Sequence, residues 1–247
     1  MPSLIDPLAL TEDQIELIEK LSMRFVYQAL RDFALEAAYI FANAPDDQTE
    51  VAEDTTREAL GRLPGFPLPA RIFGVMDFKR AGYVFLPEFA TRQALLVDSK
   101  AEKASNVARL QTSQTSLRIR QVRQGQLIDE PGRLGTEMSL HGNSFLVTTV
   151  FVHYHYEDRA TGGRLLKDIT LAALPNGRLQ DRYVPTAEDT VFVAGPDAPT
   201  RGEAFRTRLS FSRLETKCRW RVQRLSVFGA ASPPGHAPTL PPDEWAE

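Results

Sequence analysis

The 247-residue chain has one cysteine, Cys218, which excludes an intramolecular disulfide framework, and it has no C-x-x-C pair of the kind that marks a zinc site. No apolar run approaches the length of a membrane span. The opening, MPSLIDPLALTEDQ, lacks a basic segment followed by an apolar one, so the sequence predicts no secretory signal and a cytoplasmic protein with no membrane partner. Internal repeats and linkers are also missing. The length then fits one large domain with a substantial core, over residues 1–231. Beyond it, residues 232–247 (SPPGHAPTLPPDEWAE) form a Pro-rich tail expected to be irregular.

The formal net charge of −3 gives no surplus for a nucleic-acid partner, but the charge is unevenly placed. Residues 1–60 carry thirteen Asp and Glu against four Lys and Arg, a net of −9. Residues 201–224 carry eight basic residues against Glu203 and Glu215, a net of +6. Binding to DNA depends on local phosphate contacts rather than on total charge. The basic run is therefore either an anion-facing surface or a solvated strand pair with outward arginines.

Helical spacing of Ile15, Ile18, Leu21, Phe25, Ala29 and Phe33 predicts a long amphipathic helix over 11–42, with Thr11 and Gln14 forming a capping box. A second helix is predicted over 49–63, then a loop with Pro64, Gly65, Pro67 and Pro69. Strands are predicted at 70–79 (ARIFGVMDFK), 82–86, 92–100 (RQALLVDSK), 145–156, 165–174, 190–195, 203–212 and 219–229. Residues 101–114 have helical character, and 115–135 are mixed, with Arg118, Arg120 and Arg123 close together. The sum is one α/β domain.

Segment 72–100 carries the chemistry. The apolar run before Asp98 ends in an acid and an amine two residues apart. Side chains at i and i+2 share one face of a strand, so Asp98 and Lys100 project together while Ser99 faces the other way. A second apolar run, Ile72 to Met76, ends in Asp77. Side by side, the two strand ends would place two carboxylates and one ammonium in a single cleft. Two carboxylates suit Mg²⁺, a hard cation that takes oxygen ligands, and the main-chain carbonyl of Ser99 offers a further ligand. A lysine beside them suits phosphodiester hydrolysis, because it can stabilise charge that develops on the phosphate. Taken alone, an Asp-x-Lys after an apolar run also describes an ordinary strand exit into solvent.

The blocks GVMDFKR and QALLVDSKAEK resemble the PD-(D/E)XK nucleases, and more closely the SfiI-like type II restriction endonucleases. The resemblance extends to LTEDQIELIEK, QALRDFALEA, VAEDTTREAL, TTVFVHYHY, LAALPNGRLQDRY and RGEAFRTRLSFSRLETKCRWRVQRL, in that order. It covers most of residues 10–228 and thins over 103–145. It implies a PD-(D/E)XK restriction-endonuclease-like α/β core, a mixed central sheet flanked by helices, and a Mg²⁺-dependent site-specific deoxyribonuclease. Asp77 and Asp98 then stand as metal carboxylates and Lys100 as the catalytic lysine. Met76 occupies the proline position of the generic motif. Glu53 is either an extra metal carboxylate or a helix-surface acid.

The resemblance further implies that Arg206 and Arg208, on one strand face, read guanines; bidentate arginine to guanine O6 and N7 is the commonest specific major-groove contact. The other reading makes both phosphate-binding or surface arginines. Lys79, Arg201, Arg219 and Arg221 are assigned to the DNA backbone, with a solvated lysine as the alternative for Lys79. The implied substrate is double-stranded DNA with an interrupted palindrome of G·C-rich, GGCC-like half-sites. The implied assembly is a homotetramer built from DNA-binding dimers, in a bacterial cytoplasm beside a cognate DNA methyltransferase. His153 and His155 alternate on one strand without a third ligand at fitting spacing, which predicts sheet packing rather than a metal site. Cys218 reads as a structural thiol and Trp220 as a core or interface aromatic.

Overall fold

The computed structural model describes residues 5–44, 48–62, 91–139, 142–160, 163–195, 205–227 and 245–247, with residues 80–86 and 140 described by their main chain. The predicted strand at 70–79, the loop at 64–69 and most of the Pro-rich tail lie outside the described residues.

Thr11 caps helix α1 (Glu12–Asp32) through the expected reciprocal contacts with Gln14. The predicted single helix is in fact two. Phe33, at φ −102° and ψ 3°, separates α1 from α2 (Ala34–Asn43). No glycine or proline marks the break; Phe33 is buried in the core, and Arg62 stacks on its ring at 4.5 Å. Helix α3 (Gln48–Gly61) follows.

Among the described residues, six strands form a mixed sheet. Its main path runs β1 (Arg80–Leu86), β2 (Thr91–Glu102), β7 (Asn143–Asp158), β8 (Arg164–Leu174) and β11 (Val222–Ser226), and β6 (Glu137–Leu140) also pairs with β7. Strands β2 and β7 are parallel and the other pairs antiparallel. The central position of β7 explains why every residue from Phe145 to Tyr154 is buried, because both of its faces are covered. A small sheet of β3 (Val107–Leu110), β10 (Thr207–Ser210) and β9 (Phe192–Ala194) lies beside it, and β4 (Ile119–Arg123) pairs with β5 (Gln126–Glu130).

Helices α1–α3 pack on one face of the main sheet, where Phe41 stacks on Tyr154 with ring centroids 5.1 Å apart. The other face buries Phe151, Ala172 and Val222 against Leu209 of β10, Leu179, Tyr183 of α4 (Gln180–Tyr183), and Phe211 and Leu214 of α5 (Phe211–Lys217). Each fully buried side chain of this size contributes roughly 1.5–3 kcal/mol.

Two sequence expectations are corrected. The stretch 101–114 is not helical: β2 continues through Glu102, β3 follows, and Thr112–Gln114 make a 3-10 turn. The predicted strands at 203–212 and 219–229 are not two plain strands over their described residues, 205–227, because Ser210 caps the short α5 between β10 and β11. The chain end is also placed. Trp245 meets Tyr27 edge-on, Ala246 exchanges two main-chain hydrogen bonds with the Gln223 amide, and Glu247 pairs with Lys20. No described helix is long and apolar enough to cross a membrane.

Candidate active site and nucleic-acid interface

Alternation along β2 builds the site. Leu95, Val97 and Ser99 face the helices, and the Ser99 hydroxyl donates to Thr56 Oγ1 of α3 at 2.7 Å. Thr56 in turn shares a 2.8 Å hydrogen bond with the Tyr154 hydroxyl, whose burial pushes its pKa up. This chain of hydroxyls pins α3 to β2. Residues Asp98, Lys100 and Glu102 take the opposite parity. Lys100 Nζ lies 2.9 Å from Asp98 Oδ2, and both side chains are largely buried. The sequence-based pairing of acid and amine on one strand face is thus realised.

Asp98 and Lys100 open into a cleft of about 240 Å³ that Glu53, Ser99, Glu102, Arg109, Gln111, Gln114, Arg206 and Thr207 also line. Glu53, the acid given two readings above, is therefore at the cleft wall. Ser99 also lines the cleft, while its hydroxyl is turned toward Thr56. Oxygen donors from Asp98, Glu53 and the Ser99 main chain suit a hard divalent cation. Among the described residues no three His, Cys, Asp or Glu side chains form a metal cluster by themselves. Asp77, the other carboxylate of the expected ligand set, lies outside the described residues, as does Lys79. Arg80 begins β1 opposite Val97, one residue before Asp98.

The small sheet supplies the basic wall. Thr207 and Leu209 are buried, while Arg206 and Arg208 are half-buried on the alternate face. Among the described residues, the buried Nε atoms of Arg206 and Arg208 have no hydrogen-bond partner. Neighbouring basic residues differ: Arg213 donates to the carbonyl of Phe192 at 2.9 Å, and Arg224 pairs with Glu215. Arg208 stands opposite Arg109 in the β3–β10 register, and Arg109 pairs with Glu102 at 2.7 Å. Strand β2 and the arginine-bearing sheet are thereby joined.

The remaining basic residues divide. Arg219 is exposed and available to an anion. Arg201 lies outside the described residues. Arg221 overturns its assignment to the DNA backbone: it is fully buried, bonded to Glu19 Oε2 at 2.7 Å and Glu16 Oε1 at 3.2 Å, with its guanidinium against Tyr183 and Trp220. A charge sealed in that way cannot reach phosphate.

His153 is buried against Phe211, and burial holds its pKa below the usual imidazole value. His155 Nδ1 lies 2.8 Å from Asp168 Oδ2. Trp220 is in the core. Sequence reasoning missed Glu102, Arg109 and Gln114 as cleft residues. The period of two that selects Asp98 and Lys100 also selects Glu102; Arg109 and Gln114 have no comparable signal, because their stretch was read as helical.

Residues 33–225 match the family described as Type II restriction enzyme SfiI. The type II restriction enzyme SfiI of Streptomyces fimbriatus is 36% identical over 230 residues, covering 87% of this chain and 86% of that protein. The crystal structure of tetrameric restriction endonuclease SfiI bound to cognate DNA matches with a TM-score of 0.81 at 32% identity, over 94% of this chain and 90% of that one. The restriction endonuclease BglI bound to its DNA recognition sequence matches with a TM-score of 0.72 over 88% of this chain and 93% of that one. At 16% identity the second likeness is one of fold.

Proposed function

The chain belongs to the SfiI family of type II restriction enzymes, which are site-specific endonucleases, and from that premise we propose that it hydrolyses both strands of double-stranded DNA at an interrupted palindrome with G·C-rich, GGCC-like half-sites, with Mg²⁺ as its cofactor. The observation that carries this reading is a shared cleft. Asp98 and Lys100, the hydrolytic pair, line the same cavity as Arg206, whose buried Nε has no hydrogen-bond partner among the described residues.

Asp98 and Asp77, with the Ser99 main-chain carbonyl and Glu53, would hold the ion. Bound there, Mg²⁺ supplies Lewis-acid polarisation of a phosphoryl oxygen and a lowered pKa for water. Lys100 places its ammonium where negative charge grows on the scissile phosphate and where an attacking water can be oriented. Arg206 and Arg208 offer forked donors to guanine edges in the major groove. Arg219, Arg201 and Lys79 are the backbone contacts, which position the protein without reading sequence. The SfiI structure is described as tetrameric. A homotetramer of two DNA-binding dimers is the assembly proposed here, since twofold symmetry of a dimer mirrors that of a palindromic site. A DNA methyltransferase of the same specificity would protect the host genome.

Digestion of a sequenced plasmid, with and without a chelator, tests this reading. Cation-dependent cuts should fall at a few discrete positions, and their flanks should define GGCC-like arms. Ragged degradation would instead indicate a nuclease of the same fold with other specificity. Tight specific binding without cutting at any cation concentration would indicate a decayed scaffold.

A further inference from the structure

Gln114 lies 1% exposed at the end of the 3-10 turn that follows β3. Its Oε1 accepts from the Gln111 main-chain N–H at 3.0 Å. A main-chain N–H can only donate, so this contact fixes which end of the amide is oxygen. The opposite end, Nε2, donates to Asp98 Oδ1 at 3.1 Å. The turn itself is clamped from outside. Arg133 N–H donates to the Thr112 carbonyl at 2.7 Å, Leu134 N–H to the Thr115 carbonyl at 3.1 Å, and Arg133 Nε to Thr112 Oγ1 at 2.6 Å. The clamp depends on Gly132: a Cβ there would stand 2.3 Å from the Thr115 carbonyl oxygen.

We propose that Gln114 is a positioning residue for the Asp98 carboxylate. The inference rests on Asp98 being catalytic. With Oδ1 bound to a buried, clamped amide and Oδ2 toward Lys100, the plane of the Asp98 carboxylate is set before any cation or DNA arrives. A neutral donor suits that task, because it adds neither a competing cation nor a further ligand. Partners that orient metal-binding carboxylates contribute about 10–100-fold to metal affinity or activity.

Gln114→Met keeps the length of the side chain and removes the donor, and Gln114→Ala removes it with less steric risk should the first variant fail to fold. Three quantities are compared with wild type on a duplex carrying the mapped site: single-turnover cleavage rate, Mn²⁺ binding by calorimetry on a non-hydrolysable version of that duplex, and DNA affinity in metal-free buffer. The expected result is a rate about 10–100-fold lower and weaker Mn²⁺ binding, with DNA affinity unchanged within about twofold. Wild-type rate and Mn²⁺ binding in a folded variant would overturn the proposal, as would a rate loss matched by an equal loss of DNA affinity. Asp98→Ala is run alongside. If it still cuts, the reading of Asp98 has failed; if it is inactive while the Gln114 variants are normal, only the role of Gln114 has failed.

Discussion

Arg221 and Glu19 form an ion pair sealed inside the protein, with Nη2 and Oε2 2.7 Å apart, Arg221 fully buried and Glu19 2% exposed. Burial works against the guanidinium charge, but Glu19 and Tyr183 outweigh it and hold the pKa above its usual value. Glu19 also accepts from the Asn176 main-chain N–H, and the Asn176 side-chain amide donates to the carbonyls of Thr136 and Val147. The pair thus ties α1 to the turn after β8 and to the start of β7.

Removing one partner leaves the other charge buried and uncompensated. Arg221→Met should therefore lower unfolding free energy by about 3–5 kcal/mol, and adding Glu19→Leu should recover most of that loss. Chemical denaturation of the two variants checks this. The salt dependence of DNA binding should be unchanged in the folded fraction. A stable Arg221→Met protein with a shallower salt slope would make Arg221 a phosphate contact after all.

Arg208→Ala should weaken binding to the cognate site far more than to random DNA. One lost bidentate guanine contact corresponds to about 1–3 kcal/mol, or roughly a 5- to 150-fold difference. Parallel titrations of both duplexes at one salt concentration decide the matter. Equal losses on the two would assign Arg208 to the backbone.

His153 gives stability a pH dependence. Burial lowers its folded-state pKa below the value of about 6.5 expected when unfolded, so the unfolded chain takes up a proton first as pH falls. Its contribution is fully present above about pH 6.5 and is lost as pH drops through the folded-state value. Glu102, 3.8 Å away, and Asp168 oppose this in part, and His155 adds to it. The acid limb of a thermal-stability profile should be shallower for His153→Leu than for wild type. Identical slopes would exclude His153 as the source.

Much of the site was legible because strand periodicity is local. The run ending in Asp98, Ser99 and Lys100 dictates which side chains share a face, and the observed Lys100 and Thr56 contacts follow that parity. The capping box at Thr11 was equally local. What was hidden depended on tertiary partners. Ala101 and Glu102, in a stretch of helical composition, are strand because they pair with Tyr154 and His155. Phe33 breaks a helix without any breaker residue. Among the arginines, composition could not separate Arg206 and Arg208, which stay half-buried, from Arg221, which the core has taken up and bonded to Glu19. Gln114 became visible only once a turn distant from β2 in sequence folded back on Asp98.

The proposed role of Asp98 is hydrolysis rather than DNA recognition. Cleavage of a plasmid with mapped sites by Asp98→Ala, together with its affinity for the cognate duplex, separates the two. Cutting should be abolished at every Mg²⁺ concentration while specific binding persists; cutting at the wild-type rate would contradict the proposed role.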